Sequence, residues 1–464
     1  MNAALMLRVS SPLWRGCGRI EDGGIETTMR RAEFAGDANA AIVADHVGAF
    51  AVAITGADQL GASYAAAHDD YHAIVAKALE LPAVVGTGLI DGRPVVVFSQ
   101  DFAVFGGSIG RLGSAKIQRA LQLAITRGLP LVMILDGGGH RIQDGQDARH
   151  FANANATFHN FARASGWVPM VALMLGAGFA GPTNYAGMAD LVVMVRGTST
   201  MGIAGPALVK AATSEDVDAQ TLGGAEVQVD RQGLADLGVD SEDEAFAAAR
   251  RFLSYLPGNA RGAAPTIDHP PVGRMGDAVL DLVPVSTRKA YDVRKVLRLV
   301  ADPDSYFELK PTFAGNMVTA LARLGGRPIG IIANQPLRLG GMINADACDK
   351  GAHFIALCDA FGLPIVSFID VPGFSIGSSA ERTTLGRRSA KLVFEWGHAT
   401  VPRVSIVIRK GYGLGYFAMG TRPFDPLLLA DREFGRRPCP GLVRQADTSK
   451  PPRATAKDGT ADQA

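Results

Sequence analysis

The apolar residues of this chain come in short runs that alternate with glycine turns and helical periods. Ala83 to Leu89 and Val95 to Ser99 are β-branched runs around Asp91-Gly92, which predicts a hairpin. From about Ser114 to Arg127, Ile117, Leu121, Ala124 and Ile125 fall on one helical face, and Leu131 to Leu135 is apolar throughout, as a buried strand is. The pattern continues with a helix over about Asp147 to Ser165, strands at Val168 to Leu175 and Leu191 to Val195, and between these strands a glycine-rich turn, Gly176 to Gly187, that opens a helix. Farther on, strands at Pro328 to Ala333, Ile365 to Asp370 and Val404 to Arg409 alternate with helices at Asp346 to Phe361 and about Leu385 to Gly397, with Ile355, Cys358 and Phe361 facing inward. Short strands alternating with helices predict an α/β architecture whose ligands sit at the C-terminal ends of strands. Ahead of all this, Gln59 to Leu81 has a helical period that Pro82 ends.

The later elements repeat the earlier ones. Gly92-Arg93-Pro94 recurs as Gly326-Arg327-Pro328, Gly106-Gly107 as Gly340-Gly341, Lys116 as Lys350, Leu129-Pro130 as Leu363-Pro364, Asp136 as Asp370 and Gly139 as Gly373, always 234 positions apart. An ungapped register that keeps its glycines and prolines over roughly fifty residues predicts two copies of one domain. Ala260 to Pro271 turns to Gly, Pro and Ala and is the expected linker, and Arg436 to Ala464 has no period and is expected to be disordered. The expected division is an extension at 1–82, a first domain at 83–260, a second at 272–435 and a tail at 436–464.

Composition narrows the partners. With 46 Lys+Arg against 45 Asp+Glu there is no cationic surplus for a nucleic-acid backbone. Cys17, Cys348, Cys358 and Cys439 make neither a C-x-x-C pair nor a zinc spacing, so reduced thiols, no metal and a cytoplasmic location are expected. No apolar run approaches the ~18 residues of a membrane span. A first stretch with Arg8, Arg15 and Arg19 and no acid is only faintly transit-like.

The chemistry lies in glycine loops. A loop that opens a helix leaves backbone N–H groups unpaired and places the positive end of the helix dipole beside them, which suits an anion or a developing oxyanion. Gly137-Gly138-Gly139 offers such a loop in the first half and Gly413-Leu414-Gly415 in the second. Neither Gly106 to Gly110 nor Gly137 to Gly145 has the G-x-G-x-x-G spacing, and there is no G-x-S-x-G, H-E-x-x-H or P-loop. Lys116 and Lys350 are placed to reach ligand phosphates or simply to be solvated, and His140 and Asp144 follow the first loop as acid or base, or as ordinary loop residues. Two oxygen-holding loops without an evident acid–base pair favour enolate chemistry in which backbone donors and the ligands do most of the work.

Several motifs together resemble the carboxyltransferase (β) subunits of biotin-dependent acyl-CoA carboxylases of the propionyl-CoA and methylcrotonyl-CoA carboxylase type. They are Phe98-Ser99-Gln100-Asp101-Phe102 with Phe105-Gly106-Gly107-Ser108, Arg141-Ile142-Gln143-Asp144-Gly145, Ala204-Gly205-Pro206, Leu222-Gly223-Gly224-Ala225, Cys358-Asp359-Ala360-Phe361, Asp370-Val371-Pro372-Gly373-Phe374, Ala399-Thr400-Val401-Pro402 and Arg409-Lys410-Gly411-Tyr412-Gly413. The resemblance implies two tandem crotonase-like domains, each a ββα superhelix, in a homo-oligomer, usually a hexamer. Acyl-CoA would lie on the first domain, and carboxybiotin, carried by a biotin carboxylase/biotin carrier subunit, on the second. By residue match, Gly138 and Gly139 would hold the thioester enolate oxygen, and Leu414 and Gly415 the biotin ureido oxygen. Gly106, Gly107, Ser108, Lys116, His140, Arg141, Gly373, Phe374, Tyr412 and Phe417 would line the substrate sites.

The chain departs from that pattern at named positions. Gly137-Gly138-Gly139-His140 stands where the family has Ser-Gly-Gly-Ala, and Gly178 to Pro182 where it has Ala-Gly-Gly-Ala. Leu414 stands at a small-residue position, and Phe417 resembles the aromatic of methylcrotonyl-type subunits, pointing to a branched or larger acyl group. The family pattern ends at Phe424-Asp425, as in a shortened gene product, so the expected activity is weighed against a noncatalytic assembly subunit and a crotonase-type acyl-CoA decarboxylase that uses His140.

Overall fold

A computed structural model describes residues 83–141, 148–268 and 278–420. The expected helix at Gln59 to Leu81, Asp144, the Pro270-Pro271 end of the linker and the tail from Arg436 lie outside them. Strand β1 (Ala83–Ile90) pairs antiparallel with β2 (Arg93–Gln100), with Ile90 opposite Arg93. The two turn residues Asp91 and Gly92 both have positive φ, 49° and 76°, as a two-residue type I′ hairpin requires. Strands β3 (Leu131–Leu135), β4 (Met170–Met174), β6 (Leu191–Val195) and β8 (Leu237–Val239) then add in parallel, giving the order β1-β2-β3-β4-β6-β8. The short β5 (Ala177–Phe179) and β7 (Thr200–Gly202) pair separately with each other.

The second sheet has the order β13-β12-β11-β10-β9, from β9 (Phe307–Leu309), β10 (Met317–Leu324), β11 (Arg327–Asn334), β12 (Ile365–Val371) and β13 (Arg403–Gly411). Its hairpin β10–β11 again turns through two residues of positive φ, Gly325 and Gly326. Met317–Leu324 was not readable as a strand, because Met, Leu, Ala and Arg favour helix when isolated. Pairing on both sides, with β9 and β11, overrides that preference. The helix expected from Ser114 starts earlier, at Arg111, since Gly110 caps it without any side-chain signal. The other expected strands and helices between Leu131 and Gly415 lie within a few residues of their expected places, whereas the helices Pro206–Thr213, Glu242–Tyr255 and Val293–Val300 were not foreseen.

Backbone detail also recurs at the 234-residue spacing. Phe105, Gly106 and Gly107 have positive φ, as do Leu339, Gly340 and Gly341. The Ile109 N–H donates to Gly139 O and the Ile343 N–H to Gly373 O; the Val96 N–H donates to Pro130 O and the Gly330 N–H to Pro364 O. Gln100 Nε2 donates to Gly107 O, and Asn334 Nδ2 to Gly341 O.

The two halves meet around the helix Glu242–Tyr255. Ser241 accepts the Glu244 N–H at 3.2 Å and caps it, with acids in the first turn that suit the dipole. Phe246 and Phe252 are buried within one apolar cluster that also holds Val193 of the first sheet and Leu321 of the second, and burying each such side chain contributes roughly 1.5–3 kcal/mol. At the other end, Arg93 donates to Leu253 O and Leu256 O while Arg323 donates to Ser254 O, so one arginine from each hairpin satisfies the terminal carbonyls. Ser241→Ala is expected to cost about 1 kcal/mol, read as a melting temperature lower by roughly 2–4 °C. An unchanged melting curve would show that the cap contributes nothing.

Candidate active site

Each half builds its glycine site from two loops pressed together. After β2, Gly107 turns with φ 64°, and a Cβ there would lie 2.4 Å from Asp136 O and 2.5 Å from Gly137 Cα in the loop after β3. The loops are stitched by Gly138 N–H to Gly106 O at 2.9 Å and Arg141 N–H to Ile109 O at 2.9 Å, and Gly137 N–H reaches Ala177 O. The third glycine-rich turn comes to the same place: a Cβ on Gly139 would sit 2.8 Å from Ala180 Cβ and 3.7 Å from the Gly181 nitrogen, at the start of the helix Gly181–Gly187. Ala180 itself has φ 63°, an uncommon conformation for a residue with a side chain.

This geometry alters the expected donor pair. The Gly138 N–H is already given to Gly106 O, whereas among the described residues no acceptor takes the N–H of Gly139 or of Gly181. The N–H groups left without an acceptor where these loops meet are therefore those of Gly139 and Gly181. Gly178 to Pro182 departs from the family motif, and Pro182 has no N–H to give; it lies within the first turn of the helix, where that loss costs nothing.

Arg141 and Ser108 form the rim. Ser108 Oγ donates to Phe105 O, the Arg141 guanidinium reaches Ser108 Oγ at 3.4 Å, and it lies 4.4 Å from the Phe105 ring centroid. His140 is half-buried and bridges to Ile109.

In the second half, a Cβ on Gly341 would lie 2.4 Å from Asp370 O, and one on Gly415 would lie 2.8 Å from Gly373 Cα. The helix Gly413–Phe417 follows directly, and among the described residues no acceptor takes the N–H of Leu414 or Gly415. Leu414 is 58% exposed, and Tyr412 and Phe417 are likewise exposed, whereas Gly415 is buried. Phe374, the counterpart of His140, bridges to Ile343.

Behind this loop, the buried Asp370 carboxylate accepts from Arg409 Nε at 2.8 Å and from the Lys410 N–H at 3.3 Å. Arg409 covers the Tyr291 ring and donates to the carbonyls of Pro284, Ser286 and Lys289. Lys410 Nζ takes Gly340 O at 2.9 Å, the carbonyl that matches Gly106 O, which a backbone N–H takes in the first half. Pro372, matching Gly138, has no N–H to give.

The two lysines are tied to backbone carbonyls. Lys116 Nζ donates to Ala83 O at 3.3 Å, and Lys350 Nζ donates to the matching Met317 O and to Lys310 O and Phe313 O at 2.7–2.9 Å. Each ties its helix to the first strand of its hairpin, and burial pulls the Lys350 amine down to about 7. The bracing amides Gln100 and Asn334 escaped sequence reasoning, although both hold a side-chain amide at matching positions.

Residues 62–434 match the carboxyl transferase domain family. The chain belongs to the carboxyl transferase family. It is 41% identical over 347 residues to the biotin-dependent acetyl-/propionyl-coenzyme A carboxylase beta5 subunit of Mycobacterium leprae (strain TN), which covers 73% of this chain and 63% of that protein. It is 39% identical over 345 residues to the methylmalonyl-CoA decarboxylase subunit alpha of Veillonella parvula, covering 73% of this chain and 67% of that one. Among solved structures, the hexameric transcarboxylase 12S core with hydrolysed methylmalonyl-coenzyme A bound superposes with a TM-score of 0.70 at 37% identity, over 73% of this chain and 66% of that one. The mixed α/β fold is thus the fold of carboxyltransferases, and the chain spans about two thirds of the length of these relatives. Among the described residues no helix is long and apolar enough to cross a membrane.

Proposed function

We propose that the chain is a carboxyltransferase subunit that exchanges a carboxyl group between biotin and the α-carbon of an acyl-CoA. The observation that carries this reading is that each half presents two N–H groups with no acceptor among the described residues: Gly139 with Gly181 where two loops meet in the first, and Leu414 with Gly415 in the second. The first pair would stabilise the thioester oxygen as it gains enolate charge, and the second would hold the ureido oxygen of biotin. Such donors act by being fixed before charge develops, and the backbone contacts at Gly107, Gly341 and Gly415 fix them. Carboxybiotin, when delivered, supplies both the carboxyl group and the base for the α-proton, so the protein needs no acid–base pair of its own. Arg141, held by Ser108 and Phe105, would orient an anionic part of the acyl-CoA at the rim.

On this reading the halves are duplicated crotonase-like domains, at 83–260 and 272–435. The chain would assemble as a homo-oligomer, a hexamer as in the transcarboxylase 12S core, and receive biotin from a separate carrier subunit. The test is label from bicarbonate incorporated into acid-stable acyl-CoA by the purified chain with ATP, a biotin carboxylase and a biotinylated carrier. Incorporation should require the chain and be greater for branched or larger acyl groups, given Phe417. No label across acetyl-, propionyl- and methylcrotonyl-CoA would reject the reading. The Veillonella relative supports a second direction, acyl-CoA decarboxylation, over which release of labelled carbon dioxide from methylmalonyl-CoA decides.

A further inference from the structure

A cavity of ≈ 540 Å³ opens where Asp230 and Arg231 of the first half meet residues 311–316 and Arg338 of the second. Its lining also takes in Leu339, the first residue of the Leu339–Gly341 turn that Arg338 precedes. The buried Lys350 Nζ donates to the carbonyls of Lys310, Phe313 and Met317 and so holds this segment. Among the described residues no acceptor takes the N–H of Thr312, Phe313 or Ala314, and Ala314 is left-handed with φ 45°. Successive unpaired amides at such a bend form a concavity that suits an anion.

Charge favours the same ligand. Around the cavity Arg294 is paired with Glu308, Arg231 with Glu226, Asp230 with Arg196 and Asp346 with Arg388. Arg338 makes no ion pair among the described residues, and its stem crosses the segment, with Cγ 3.7 Å from where a Cβ on Gly315 would be.

We propose that this cavity binds a small oxyanion, a phosphate or carboxylate group, held by the amides of residues 312–314 and the Arg338 guanidinium. An anion seated there touches both halves and stabilises their contact, whatever the glycine loops catalyse. The test is calorimetric titration of the full chain, in chloride buffer, with pyrophosphate and separately with malonate. Saturable binding near one per chain is expected, with a melting temperature that rises as the anion is added. Arg338→Gln should weaken binding at least tenfold while leaving the anion-free melting curve unchanged, because Arg338 is exposed. Gly315→Glu, which sets a carboxylate beside Arg338 at a position with room for a side chain, should abolish binding of both probes. Tighter binding of pyrophosphate identifies a phosphate ligand, and tighter binding of malonate a carboxylate ligand. No saturable binding at millimolar concentration, or equal affinity in wild type and Arg338→Gln, overturns the proposal.

Discussion

Gly107→Ala is expected to lower carboxyl transfer by on the order of 10²–10³-fold, the loss seen when one oxyanion donor is displaced. The added Cβ would lie 2.4 Å from Asp136 O and 2.5 Å from Gly137 Cα, atoms of backbone that cannot turn aside as a side chain does. The loop after β3 must then retreat, carrying Gly139 away from Gly181, while the residue itself bears a left-handed φ at a cost of about 1–3 kcal/mol. Gly106→Ala is the control. It has nearly the same φ, 62°, but nothing within 4 Å of its Cβ, so it should keep near-normal rates with only the backbone penalty. Rates measured side by side decide the matter; equal activity in the two variants would mean that loop contact does not set the donor geometry.

Lys350→Met should be the most destabilising single change outside the site. Lys350 is 2% exposed and its three N–H groups satisfy three buried carbonyls, so methionine leaves Lys310, Phe313 and Met317 each short of a donor. At about 1–3 kcal/mol for each unsatisfied group, less the cost of burying a charge, a loss of roughly 3 kcal/mol is expected in denaturant melts. The pH dependence has a definite sign. Burial holds the folded amine near 7, below its usual 10.5, so between those values the unfolded chain carries the extra proton. Wild-type stability from this group therefore rises with pH across that window and is flat below it, and the gap between wild type and Lys350→Met should widen from pH 7 upward. A gap that stays flat over the same range would mean the folded lysine keeps its proton.

How much of this was written legibly depends on what each feature rests on. The hairpin at Asp91-Gly92 and the glycines at Gly106, Gly107, Gly340 and Gly341 were visible because their chemistry is local: only certain residues take those φ values. The strand β10 was not, since its neighbours rather than its residues make it a strand. Gly138 and Gly139 look equivalent in sequence, yet a single bond to Gly106 O separates an occupied amide from an available one. Gly181 was overlooked for the same reason, because the closeness of two loops is a tertiary fact. Lys116 and Lys350 matched at the right spacing, and the carbonyls that they share, at Ala83 and Met317, are a tertiary fact the sequence does not carry.

The helix Glu242–Tyr255, held at its end by Arg93 and Arg323, also bears on how such a chain can evolve. Halves with separate cores would be free to change independently. Here the apolar cluster runs from Val193 through Phe252 to Leu321, and Lys310 of one half neutralises Asp236 of the other in a buried pair. A change on one side of this seam is felt on the other, so the seam constrains both halves together and leaves the loops, which lie away from it, freer to differ.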